Sequence, residues 1–183
     1  MPLVYLPDSA PGPDSAPGPE ASPLAALPAS LAGVRIGVLD NGKPNAAVVM
    51  TRAAETVAAR TGAHIALVTK KGPQGQSANA AIPMARDILE RLVAETDVVI
   101  TGTADCGSCT AYSVQDALEL DQAGRPAIVV TTTRFEPVAD HFGVAPARKL
   151  VLPHPIGGTD EVTLHAWADA AADRLIGLLT ADT

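Results

Sequence analysis

The chain holds only two cysteines in 183 residues, too few for the disulfide framework of a small secreted fold. Aromatic residues make up 3% of it, which removes the stacking platforms that single-strand nucleic-acid binders need. Basic side chains are in the minority, 13 against 20 acidic ones for a net charge of −7, and they are scattered. That leaves no electrostatic footprint for a phosphate backbone. No apolar run approaches the roughly 20 residues of a membrane-spanning helix. What the chain does have is 47% hydrophobic residues, largely Ala, Val, Leu and Ile, enough for the core of one ordinary domain. Nucleic acid and membrane are therefore set aside as partners, and a soluble protein acting on a small molecule is expected.

Residues 1–32 separate from the rest by composition. PDSAPG occurs at 7–12 and again at 13–18. Proline supplies no amide donor and glycine costs backbone entropy, so the Pro/Ala/Ser-rich stretch reads as a flexible N-terminal tail. It lacks the basic start and continuous apolar core of a secretory signal, and the cytoplasm is the expected compartment. An arm that docks on another subunit, in a homo- or hetero-oligomer, is the minority alternative.

Residues 33–183 form the expected single α/β domain. β-branched runs at 34–40, 63–69, 97–102, 126–132 and 149–153 alternate with amphipathic stretches at 44–61, 79–96, 109–123 and 160–180, plus a shorter helix within 133–143. Strands apolar along their whole length imply cover on both faces. The pattern predicts a flavodoxin-like three-layer sandwich with about five parallel strands, whose ligands bind beyond the carboxyl ends of the strands.

The first strand-end loop, DNGKPNA at 40–46, offers Asn41, Lys43 and Asn45 to a substrate. Asn41-Gly42 suits a turn with positive φ, Pro44 suits the first turn of the next helix, and Lys43 beside that helix suits an anionic group. The loop is neither a Walker sequence nor GxGxxG, so no nucleotide cofactor is indicated.

The loop after the third strand, GTADCGSCTAYSVQDA at 102–117, carries both cysteines as Cys106-x-x-Cys109 where a helix begins. A thiolate there gains from unpaired amides and from the positive end of the helix dipole. Two cysteines a helical turn apart can bridge, one attacking and the other resolving. Gly107 permits close backbone approach, and Ser108 can cap the helix or donate to an oxyanion. A zinc site and a structural pair are the competing readings. Zinc needs two more ligands, and His64, His141, His154 and His165 stand in no ligand motif.

The stretches IGVLDNGKPNA at 36–46, GTADCGSCTAYSVQDA, GRPAIVVTT at 124–132 and VLPHPIGG at 151–158 resemble the proteins named for a UGSC motif, selenocysteine-Gly-Ser-cysteine, in the form of a cysteine-containing member. The resemblance covers most of the domain and leaves the proline-rich tail outside. It implies that Cys106 occupies the selenocysteine position and is the attacking atom, with Cys109 as the resolving thiol.

Other groups complete the expected site. Asp105 orients a proton or caps the helix, capping being the plainer role. Thr103 and Thr110 suit a substrate carboxylate or the loop's own amides. Arg134, just past the fourth strand, suits a carboxylate or a surface ion pair. His154, held between prolines, suits proton transfer to or from Cys106. The expectation is a thiol-dependent enzyme doing reductive chemistry on a small molecule, restored by an external dithiol reductant, with no cofactor and no metal. A non-redox cysteine nucleophile, performing addition, elimination or hydrolysis, is the second class. A non-catalytic subunit carrying sulfur or metal for a partner is the third.

Overall fold

The computed structural model describes residues 24–77 and 79–181, so the PDSAPG repeat lies outside the described residues. Five strands, β1 (Arg35–Asp40), β2 (His64–Lys70), β3 (Val98–Gly102), β4 (Ala127–Thr132) and β5 (Lys149–Leu152), form one sheet in the order β2-β1-β3-β4-β5. Every pairing is parallel. The chain builds outward from β1 to β2, then crosses to β3 on β1's other side, so the switch point of the sheet lies between β1 and β3. The loops after those two strands are 40–46 and 102–106. This is the flavodoxin-like sandwich, with the strand order now assigned.

The helices are α1 (Ala46–Thr61), α2 (Arg86–Glu95), α3 (Gly107–Gln122), α4 (Glu136–His141), α5 (Glu161–Ala170) and α6 (Ala172–Leu179). Successive strand residues point to opposite faces, and the core divides accordingly. Ile36, Val38, Val98, Ile100, Ile128 and Val130 pack beneath α1, α5 and α6. Leu39, Val99, Ala127 and Val129 pack beneath α2, α3 and α4. Each fully buried side chain of this size contributes roughly 1.5–3 kcal/mol.

Several expectations need correction. Cover on both faces holds for β1, β3 and β4, but β2 is an edge strand with residues 64, 66, 68 and 70 exposed, Val68 at 48%. The stretch 79–96 is helical only from Arg86: Pro83 breaks it, Ala85 is extended as the N-cap, and residues 79–85 form a loop. α1 starts at Ala46 rather than Pro44, because Asn45 takes a left-handed conformation (φ 65°) as its N-cap. The terminal stretch is two helices meeting at Ala171, with Leu164, Leu175 and Leu178 in the core. Composition put residues 24–32 in the tail, yet they pack on the body. Leu31 is buried, Ala25 N donates to Asp121 Oδ1 at 3.1 Å, the Ala25 carbonyl accepts from Arg148, and Ala181 N donates to the Pro28 carbonyl. No helix among the described residues is long and apolar enough to cross a membrane.

Gly102 ends β3 at φ 128°, and a Cβ there would collide with the Val130 carbonyl oxygen. Gly102→Ala is expected to cost roughly 3–5 kcal/mol in urea unfolding, or to prevent folding, from backbone strain plus overpacking. On the opposite layer, Arg52 and Thr56 of α1 hydrogen-bond Asp169 of α5 and hold its carboxyl down at about 2 against an ordinary 3.8. A depressed carboxyl contributes stability that is complete above the unfolded value and is lost as pH falls through the folded one. The acid limb between about pH 4 and pH 2 is expected to flatten in Asp169→Asn, measured by thermal unfolding against pH.

Candidate functional site

Cys106 is the N-cap of α3, extended at φ −155° and ψ 154°, with no side-chain cap bond to the helix. The first regular bond of the helix is Thr110 N donating to the Cys106 carbonyl at 3.2 Å. The amides of Gly107, Ser108 and Cys109 therefore form the unpaired first turn that any helix leaves open. Cys106 and Cys109 are joined as a disulfide, with Cα atoms 5.6 Å apart. Cys106 is half-buried, whereas Cys109 is 2% exposed and packs with Ala80 and Ala104. One sulfur thus faces outward and the other lies behind it.

The outward face opens on a pocket of about 240 Å³ lined by Lys43, Pro44, Thr103, Ala104, Asp105, Cys106, Ile156 and Gly157. These residues come from the loops after β1, β3 and β5, at the carboxyl rim of the sheet. Lys43 is exposed, and its ammonium has no ion-pair partner among the described residues. Thr103 is 1% exposed, and its Oγ1 has no hydrogen-bond partner among the described residues.

Asp105 does not cap α3, as the sequence suggested. Its carboxylate turns toward the loop after β5, accepting from Ile156 N at 3.0 Å and from Gly157 N, and it meets His154 Nδ1 at 3.1 Å. A Cβ on Gly157 would stand 3.0 Å from Asp105 Oδ2, so glycine admits this close approach. His154 Nδ1 also lies 3.3 Å from Thr132 Oγ1, and its ring packs edge-on against Phe135 with centroids 5.7 Å apart. The imidazole is oriented by a carboxylate, a hydroxyl and an aromatic ring.

Other expected residues serve the frame of the site. Asn41 is 1% exposed; its Nδ2 donates to the Thr103 carbonyl at 3.0 Å and to Ser113 Oγ at 3.3 Å, while its Oδ1 accepts from Lys43 N. Asn45 Nδ2 donates to the Ile156 and Thr159 carbonyls, both at 2.9 Å. Thr110 Oγ1 donates to the Cys106 carbonyl at 2.9 Å. Both asparagine amides thus tie loops together. Arg134 lies outside the pocket, exposed, with its guanidinium 6.0 Å from the Phe135 ring. Ser108 is exposed, its Oγ 3.9 Å from Cys106 Sγ. Gly107 faces no crowding backbone, its nearest neighbour being Val138 Cγ2 at 4.0 Å from a built Cβ.

The helical spacing of 79–96 gives no sign of the loop at 79–85, nor of Ala80, which that loop packs on Cys109. Sequence reasoning also missed Phe135, Pro44 and Ile156, apolar residues with no chemical signature. Nor did it find the buried pair behind α3. Lys71 Nζ lies 2.6 Å from Asp116 Oδ2, an ion pair with poor hydrogen-bond alignment, both side chains at most 1% exposed. Tyr112 lies 5.8 Å from the same ammonium. Burial pushes the Asp116 carboxyl above its ordinary value, while Lys71 pulls it back down. Asp116 Oδ1 accepts from Met84 N and the Lys71 carbonyl accepts from Ala85 N, so the pair fixes the end of the 79–85 loop to α3.

Among the described residues, no cluster of three or more His, Cys, Asp or Glu side chains is placed to hold a metal ion. Asp105→Ala is expected to leave the Ile156 and Gly157 amides without an acceptor, speeding their hydrogen exchange and costing about 1–3 kcal/mol of stability. Unchanged protection of those two amides would show that the β5 loop is held by something else.

A comparison with curated proteins finds no match. A comparison with protein-family models matches residues 9–181 to the UGSC family. The match begins within the stretch set apart as tail, and so reaches further toward the N-terminus than the motifs alone suggested. With almost the whole chain matched and Cys106-Gly107-Ser108-Cys109 standing at the start of α3, the protein belongs to the UGSC family.

Proposed function

We propose that the protein is a thiol enzyme that reduces a small molecule, with Cys106 as nucleophile and Cys109 as resolving thiol. The observation that carries this reading is the pairing of a half-buried Cys106 on a pocket wall with a buried Cys109 directly behind it. An attacking thiol needs access, and a resolving thiol needs only the first sulfur. The unpaired amides of the α3 first turn favour a thiolate at the N-cap. The neighbouring Asp105 charge opposes it, but that carboxylate is engaged by two amides and His154.

In the reduced enzyme the Cys106 thiolate attacks an electrophilic atom A of the substrate A–L; the S–A bond forms, and L leaves with the bonding pair. The Cys109 thiolate then attacks Cys106 Sγ, and A departs with its electron pair and takes a proton. The products are A–H, L⁻ and the Cys106–Cys109 disulfide, two electrons having passed from the thiols to the substrate. An external dithiol exchanges with the disulfide and restores both thiols. His154, oriented through Nδ1 by Asp105, is the candidate proton donor to A. A dithiol donor of this kind fits a reducing compartment such as the cytoplasm.

The test is thiol reactivity of the reduced protein. Iodoacetamide labelling of Cys106 is expected to have a midpoint well below the free-thiol value of about 8.5. Challenged with an aromatic disulfide, the wild type is expected to release two thiolates per chain and close its own disulfide. Cys109→Ser is expected to release one and to retain the mixed disulfide. If wild type and Cys109→Ser behave alike, the pair does not resolve and the non-redox nucleophile reading takes over. A pair labelled only after chelation would replace the enzyme reading with a metal site.

A further inference from the structure

We propose that the pocket beside Cys106 takes a short monocarboxylate, with Lys43 and the Thr103 hydroxyl receiving the carboxylate; this rests on the thiol-enzyme reading and names its substrate class. Lys43 is the one cation in the pocket lining, exposed and without an ion-pair partner among the described residues. Thr103 supplies an independent sign of a ligand. Thr103 lines the pocket, is 1% exposed, and its hydroxyl has no partner among the described residues, an arrangement that is costly unless something accepts or donates there. A carboxylate oxygen satisfies that hydroxyl and pairs with Lys43 at once. The open first-turn amides of α3 add partial positive charge on the same side.

The charge balance selects the class. One lysine and one helix terminus face a single lining carboxylate, Asp105, whose oxygens are already engaged by Ile156 N, Gly157 N and His154 Nδ1. That suits one negative charge. A phosphate, with up to two charges and three oxygens, is ordinarily met by more than one cation or by a full glycine-rich cradle, and Lys43 is the one cation in the lining of this pocket. Arg134, the carboxylate partner suggested by sequence position, lies outside it. Size agrees: a pocket of about 240 Å³ suits a small acid better than a nucleotide or a peptide. Pro44, Ala104 and Ile156 give the remaining wall an apolar character that suits a short carbon chain. The electrophilic atom A then lies within a few bonds of the carboxylate, where Cys106 Sγ can reach it.

Iodoacetate and iodoacetamide test this directly, since they differ in the carboxylate alone and react by the same step: the S–C bond forms as the C–I bond breaks and iodide leaves. The ratio of their rates at Cys106 cancels changes in thiolate fraction. Lys43→Gln is expected to lower that ratio about tenfold and Thr103→Val a few-fold, while Lys43→Arg recovers part of the loss. An equal ratio in wild type and all three variants overturns the carboxylate site, whether or not the iodoacetamide midpoint upholds the thiol reading. A second measurement does not depend on thiol reactivity. Acetate titrated into the wild type is expected to shift the amide resonances of Thr103 and of Gly107 to Cys109, and to lose that effect in Lys43→Gln. Binding of inorganic phosphate in preference to acetate would overturn the assigned class.

Discussion

The Asp105 carboxylate is the constraint around which the rim of this protein is arranged. In a parallel sheet the strand ends hold no hairpins, so the loops at the carboxyl edge are not hydrogen-bonded to one another by the ladder itself. Something else must set their spacing. Asp105, one residue before Cys106, reaches across from the β3 loop to accept two amides of the β5 loop and to orient His154. The thiol, the imidazole and one wall of the pocket are thereby placed by a single side chain. Gly157 is part of the same device, since a side chain there would press on the carboxylate.

Asn41 and Asn45 extend this bracing to the loop after β1. Each spends its side-chain amide on two acceptors in other loops or helices, Asn41 toward β3 and α3, Asn45 toward the β5 loop. Three loops at the switch point of the sheet are thus joined by side chains rather than by regular structure. The pocket between them is left with few uncommitted polar groups: among the described residues, Lys43 has no ion-pair partner and the Thr103 hydroxyl has no hydrogen-bond partner. These bonds tie the three loops to one another at the rim of the sheet.

Behind α3 the Lys71–Asp116 pair does for the covering loop what Asp105 does for the rim. Removing one partner of a fully buried pair strands the other charge in a poorly solvated place, so the two residues are committed to each other. Through Met84 N and Ala85 N they hold the segment that brings Ala80 against Cys109. Cys109 is kept buried while Cys106 is left half-open.

Much of this was determined by sequence alone. The alternation of β-branched runs with amphipathic stretches is a local signal, set by side-chain period, and it located all five strands and the layered architecture. The CxxC at a strand-to-helix junction is equally local, because spacing and helix geometry together bring the sulfurs to one turn. The roles of Asp105, Asn41 and Asn45 were not legible, since a carboxylate or amide beside a helix start has several partners within reach and only the packed loops choose among them. The helix boundary at Arg86 was misjudged for a related reason: alanine-rich periodicity over 79–85 is outweighed by Pro83 and by a buried aspartate more than 30 residues away that takes the Met84 amide. Strand order, the pocket and the placing of Lys43 rather than Arg134 in its lining were decided by tertiary structure, because each depends on which distant loops meet at the rim, and no periodicity in the chain encodes that meeting.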